Sequence, residues 1–127
     1  METMEATMTV QQIANRLVEC CRQGNYTAAQ EELFSDDAVS QEPENSPAPG
    51  PKTVKGRDAI IAKGKQFQQM VEAVHDNQVS DAVIAGNWFS VAGNLDATFK
   101  GMGRRMMNEI CVYEVKDGKI VKEQFFY

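Results

Sequence analysis

Val112-Tyr113-Glu114-Val115-Lys116-Asp117-Gly118-Lys119-Ile120-Val121 reads as two strands joined by a tight turn. Asp-Gly between alternating runs is a strong hairpin signal, because both central residues of such a turn take a left-handed backbone. The period-two pattern extends backwards through 104–116, 87–100 and 74–85, and forwards through 120–126. Gly86-Asn87 and Gly101-Met102-Gly103 supply the turns between these runs. The second half of the chain is expected to be a series of antiparallel strands.

The first half has the helical period instead. Thr9 and Gln12 have capping-box spacing, and Val10, Ile13, Ala14, Leu17, Val18 and Cys21 follow on one face until Gly24. Asn25 caps a shorter helix carrying Ala28, Ala29 and Leu33. Asp36-Asp37 interrupts it, and 38–42 is expected as a short strand. Residues 43–56 hold all four prolines, with Gly50 and Gly56, and are expected to form no regular element. Such a loop is either a lid over a site or a stiff surface excursion. A third helix is expected from Asp58, with Ile60, Ile61, Gly64, Phe67, Met70, Val71 and Val74 in period. Helices followed by strands define an α+β domain. It is expected over 9–127, after a flexible 1–8.

Composition narrows the function classes. The chain has 127 residues, 43% of them apolar, and a net charge of −5 from 18 acidic and 13 basic residues. No basic stripe is present, which sets nucleic acid aside. No apolar run approaches the ~20 residues that span a bilayer, and METMEATMTV is not a signal peptide. No membrane association and a cytoplasmic location are expected. Three cysteines without CxxC spacing, and a single histidine, give no metal set. Phosphate-binding loops and nucleophile elbows are absent, so no cofactor is expected.

Several segments in order resemble one family. They are Gly24-Asn25, Phe34-Ser35-Asp36-Asp37-Ala38-Val39, Val54-Lys55-Gly56-Arg57-Asp58-Ala59-Ile60, Ala85-Gly86-Asn87-Trp88-Phe89 and the closing hairpin. Together they resemble the SnoaL-like branch of the nuclear-transport-factor-2-like superfamily, over residues 9 to 127. The resemblance implies three N-terminal helices packed in the concave face of a strongly curved, mainly antiparallel sheet, a cone-shaped α+β barrel enclosing an apolar pocket. Its members include polyketide cyclases, ketosteroid isomerase, scytalone dehydratase and non-catalytic binding domains, and they often dimerise through the outer sheet face. In ketosteroid isomerase the base precedes a proline after the short strand, where this chain has Glu42 before Pro43. The two oxyanion donors correspond to Leu17 and Cys111, so neither is kept.

The closing hairpin has two possible registers. A two-residue turn pairs Lys116 with Lys119 and separates Glu109 and Glu123 by face. A three-residue turn with Gly118 as a bulge pairs Val115 with Lys119, and is preferred. It puts Glu109, Cys111, Tyr113, Val121, Glu123, Phe125 and Tyr127 on one face and Glu114, Lys116, Lys122 and Gln124 on the other. Glu109 and Glu123 then lie diagonally within reach. They are either an acid/base pair or structural, salt-bridged carboxylates. Glu42, His75, Glu109 and Glu123 are thus the candidate catalytic residues. Leu17, Phe67, Phe89, Cys111, Tyr113, Phe125 and Tyr127 are the candidate ligand contacts. His75 is a candidate proton carrier or a structural residue.

Three functions remain: a proton-transfer isomerase, cyclase or dehydratase acting on a small apolar molecule, a binding module for such a molecule, and an interaction domain. Ile110 and Val112, among Glu114, Lys122 and Gln124, point to a homodimer through the outer sheet face.

Overall fold

The structure, a computed structural model, describes residues 7–48 and 50–127. The expectation of a flexible start falls largely on residues 1–6, which lie outside the described residues. Met8 packs on the core.

Helix α1 spans Val10–Arg22, and the Thr9–Gln12 capping box forms in both directions. It buries Ile13, Ala14, Leu17, Val18 and Cys20. Gly24 ends it with a φ of 74°. Helix α2 follows as Tyr26–Leu33. Strand β1, Phe34–Gln41, starts at once rather than at Ala38. Asp36 and Asp37 do not stop the strand. They lie where its pairing with the last strand shifts register, and both are exposed.

The proline-rich segment is irregular until Thr53–Lys55, which forms β2 antiparallel to β1. The expectation of no regular element thus fails for these three residues, none of which is proline. Helix α3 spans Arg57–Met70 and stops where the β-branched Val71 enters β3, Val71–Val79. Val74 therefore belongs to a strand, not to the helical face. The expected strand 74–85 is two strands, because β4 is only Val83–Ala85. Strands β5, Trp88–Phe99, β6, Gly103–Lys116, and β7, Lys119–Phe126, complete the chain.

The sheet has the order β2-β1-β7-β6-β5-β3, with β4 also on β5. All pairs are antiparallel except β1 with β7. The expected cone does not form. The sheet is open, with β2 and β3 as separate edges that do not pair with each other. Closure needs long, staggered strands, whereas β2 and β4 have three residues each. The helices supply Ile13, Leu17 and Leu33, and the strands Phe34, Phe89 and Ile120, to one core. Each such side chain contributes about 1.5–3 kcal/mol when buried. Among the described residues no helix is long and apolar enough to cross a membrane.

The closing hairpin combines features of both anticipated registers. Asp117 and Gly118, with φ of 52° and 75°, make the two-residue turn that pairs Lys116 with Lys119. The register then shifts, so that Glu114 faces Lys122 while Val115 faces Ile120. Val121 is left as the extra residue of a bulge. The preferred three-residue turn is therefore absent. The bulge nonetheless returns Glu123 and Phe125 to the face of Tyr113 and Cys111. Gly118 also has no room for a side chain, because the Thr7 methyl lies where its Cβ would be.

Candidate functional site

Strand alternation builds the inner face in rows across the sheet. Ser40, Glu123, Tyr113 and Phe89 form one row, and Phe125, Cys111 and Val91 the next. Glu109 faces Gly93 one step beyond. Glu123 thus stands opposite Tyr113. Four residues of strand, about 13 Å, separate the Tyr113 Cα from that of Glu109, so the expected diagonal neighbours are further apart. The Phe89 and Tyr113 rings stack with centroids 4.8 Å apart.

Glu123 is buried, 6% exposed, and accepts a 2.8 Å hydrogen bond from Ser40 Oγ. Burial pushes its pKa up to about 7, while the Ser40 bond and Lys63 pull it down and Glu109 and Glu42 push it up. Burial also raises the Glu109 carboxyl above its ordinary range. The Cys111 thiol donates to Glu109 Oε1 at 3.6 Å. Burial raises both Cys111 and Cys21, the latter to about 12, so these thiols remain protonated.

Glu42 directly follows β1 and precedes Pro43, whose ring biases it to an extended backbone. Its carboxylate does not face an apolar wall. It accepts from Lys63 Nζ at 2.6 Å and from the Tyr127 hydroxyl at 2.7 Å. Tyr127 also bonds Ser46, which draws the proline-rich loop onto the same group. Lys63 Nζ lies 5.6 Å from the centre of the Phe125 ring. Helix α3 packs on α2, β1, β2 and the start of β3. Ile60 is its one buried residue, and Phe67 and Met70 further along are more than a third exposed. Lys63 and Phe125 thus meet where α3 passes the inner face of the sheet.

The charges of Glu42 and Glu109 act on Glu123, and that of Glu42 acts on Glu109. His75 does not join them. It is exposed, with Nε2 2.7 Å from Thr98 Oγ1. Leu17 is core, 3% exposed, and Phe89 is sealed behind Tyr113. Cys111, Tyr113 and Phe125 belong to the rows, Tyr127 reaches Glu42, and Phe67 meets Phe99 edge-on at 5.7 Å. Two open grooves, of about 600 and 430 Å³, lie elsewhere, one beside α1 at Arg22 and Asp81 and the other between α2 and α3 at Glu31 and Arg57. Among the described residues no three His, Cys, Asp or Glu side chains form a metal-ligand set.

Sequence reasoning missed Lys63, Ser40 and Tyr26. Lys63 lies three residues after Ile60 and four before Phe67, the spacing of one helix face, but a lysine reads as solvated. Ser40 lies two before Glu42, on the same face of the strand. Tyr26, at the start of α2, is raised by burial, with Cys21, Glu109 and Cys111 acting in the same direction.

Three helices on one face of an open, mixed sheet, with ionisable groups on the inner rows, define a domain of the nuclear-transport-factor-2-like, cystatin-like class. Within that class the chain belongs to the SnoaL-like domain family, which matches residues 8–127. A candidate SnoaL-like polyketide cyclase from Mesorhizobium loti is 34% identical, with a TM-score of 0.85 over 94% of this chain and 100% of that one. A protein of unknown function with a cystatin-like fold from Xanthomonas campestris is 18% identical, with a TM-score of 0.76 over 94% and 90%. A protein with a ketosteroid isomerase-like fold from Catenulispora acidiphila, in complex with trimethylamine, is 21% identical, with a TM-score of 0.70 over 94% and 87%. No curated protein matches the chain.

Proposed function

We propose that the chain binds a small, largely apolar molecule between α3 and the inner face of the sheet and moves a proton on it, as an isomerase, cyclase or dehydratase does. The observation that carries this reading is Glu109, a half-buried carboxyl on the inner face with a raised pKa, whose hydrogen-bond partner among the described residues is the Cys111 thiol. A carboxyl raised above its ordinary range is better suited to give or take a proton than a free one. Lys63 and the Tyr113 hydroxyl are donors suited to an oxygen on which charge develops. Glu123 with Ser40 stores a second proton behind them. The likeness to a candidate cyclase supports the reaction class.

A non-catalytic binding module is the second reading. It is favoured by Glu42 and Glu123, which already have partners within the chain. Proton NMR in heavy water, with a panel of small enolisable ketones, separates the two. The proton-transfer reading expects deuterium to enter a bound ligand, at a rate about 100-fold or more lower in Glu109→Gln. Binding without exchange in the wild type supports the module instead.

A further inference from the structure

We propose that Tyr127 is a latch: its hydroxyl ties residues 43–48 of the proline-rich loop to the Glu42 carboxylate, so that this segment stays closed and both Glu42 oxygens stay occupied until the phenol lets go. The latch does not depend on proton transfer at Glu109.

The segment is tied to the body of the domain at one point. Its residues are exposed or half-buried except Ser46, which is 8% exposed. Most of its hydrogen bonds stay within the loop. The Ser46 amide donates to the Pro43 carbonyl at 3.0 Å, and the Ala48 amide to Ser46 Oγ at 3.3 Å. Lys52 Nζ donates to the Ser46 and Ala48 carbonyls from the returning limb. Among the described residues, the bond that carries the segment outside the loop is that between Ser46 Oγ and the Tyr127 hydroxyl, at 2.5 Å. Tyr127 itself lies beyond β7 and is 49% exposed, so its ring can turn to solvent once these bonds break.

The bonds run in one direction. A carboxylate paired with an ammonium accepts and does not donate, so Tyr127 uses its one proton on Glu42 Oε2, at 2.7 Å. The phenol oxygen must then accept from the Ser46 hydroxyl, whose own oxygen accepts from the Ala48 amide. The series from Ala48 through Ser46 and Tyr127 therefore ends on the charge of Glu42. Bonds in such a series polarise and strengthen one another. Lys63 Nζ holds the other oxygen, Oε1, at 2.6 Å, and the Glu42 side chain is 13% exposed. Opening the latch would expose Oε2 while Lys63 keeps the carboxylate in place. Loss of one such bond is enough to shift an opening equilibrium about tenfold.

The test is carbodiimide labelling of carboxyls in the full chain, read residue by residue by mass spectrometry, together with amide exchange. Glu44, exposed on the same segment, is the internal reference. In the wild type Glu42 should be labelled about tenfold or more slowly than Glu44. Tyr127→Phe should raise both the labelling of Glu42 and the exchange of the amide at position 46 by about tenfold. Ser46→Ala should raise Glu42 labelling as well, although the bonds of Ser46 reach Glu42 only through Tyr127. The double variant should match Tyr127→Phe, because both changes break one series of bonds. Amide exchange in β6 that stays slow shows that each variant is folded. Labelling of Glu42 as fast as that of Glu44 in the wild type overturns the latch. Unchanged Glu42 labelling in Ser46→Ala also overturns it, since Tyr127 would then be a local partner of Glu42 alone. Additive effects in the double variant overturn it too, because they mean two independent ties.

Discussion

Strand β6 has two halves that behave differently. From Gly103 to Asn108 nearly every residue is exposed, whereas from Glu109 to Val115 half-buried or exposed residues alternate with more deeply buried ones. The second half lies over the helices, and its inner residues Cys111, Tyr113 and Val115 belong to the core. The first half contributes no residue to that core. Glu109 sits at the boundary. Stability should come from the covered half, and ligand chemistry from the edge where cover ends, since there the Glu109 carboxyl is half-buried and still reachable.

The largest expected effect separates the halves by stability. Ile120, fully buried opposite Val115, should cost about 2–5 kcal/mol when changed to Ala. Met106, 59% exposed, should change stability by no more than about 0.5 kcal/mol. Urea unfolding measures both. Similar losses at the two positions would mean that the outer half is also covered.

Glu123 sharpens the comparison through pH. Its folded pKa is raised from 4.5 to about 7, so the folded chain holds a proton that the unfolded chain releases. That stabilisation is complete below about pH 4.5 and is lost as pH rises through 7. The lost contribution is on the order of 3 kcal/mol. Stability by urea should therefore fall between pH 5 and pH 7.5. Glu123→Gln should flatten the slope, leaving the smaller part due to Glu109, which is raised in the same direction. A wild-type profile that rises over this interval contradicts the burial of Glu123 as a neutral acid.

The two faces of the same strands make a further contrast. Opposite the ionisable inner rows, the outer face exposes Ile110 at 51%, Phe126 at 50% and Trp88 at 38%. Ile110 pairs directly with Phe126, which makes the apolar area continuous. We propose a homodimer through this face. Light scattering at micromolar concentration should give twice the 14.1 kDa chain mass, and Ile110→Lys should return it to the chain mass. A wild-type monomer rejects the interface.

The proline-rich loop should differ less from the sheet than a free lid would. Ser46 is buried and bonded to Tyr127, and Lys52 Nζ donates to the carbonyls of Ser46 and Ala48. Amide exchange in the loop should be faster than in β6, and Tyr127→Phe should accelerate it by about tenfold. No change in that variant would mean that Tyr127 does not hold the loop.

The sequence carried the order of elements well because its signals were local. The Thr9 cap, the glycine at 24 and the Asp117-Gly118 turn each act within a few residues. The sheet's open form was not legible in this way, because it depends on two strands too short to extend the ladder. The face of Glu123 was anticipated for the wrong reason, since the bulge at Val121 has no marker in the alternation. Glu42 stands out in the sequence by its place before Pro43, but its partners Lys63 and Tyr127 come from 21 and 85 residues away. Lys63 stayed hidden because a lysine on a helix is ordinarily a solvated group.

The smallest expected effect concerns His75, and its value lies in what should not change. The single histidine is the residue that neutral-pH proton transfer most readily suggests. It lies on edge strand β3, exposed, and its contact is the Thr98 hydroxyl of the neighbouring strand. Among the described residues its field reaches Asp96, which is paired with Arg104, rather than any of the three inner carboxyls. His75→Gln retains a group that can bond Thr98 and removes the imidazole. Stability should move by no more than about 0.5 kcal/mol, and ligand affinity and deuterium exchange should match the wild type across pH 5 to 8. A loss of exchange in this variant, with Glu109→Gln unaffected, would move the chemistry from the boundary of the covered half to the open one.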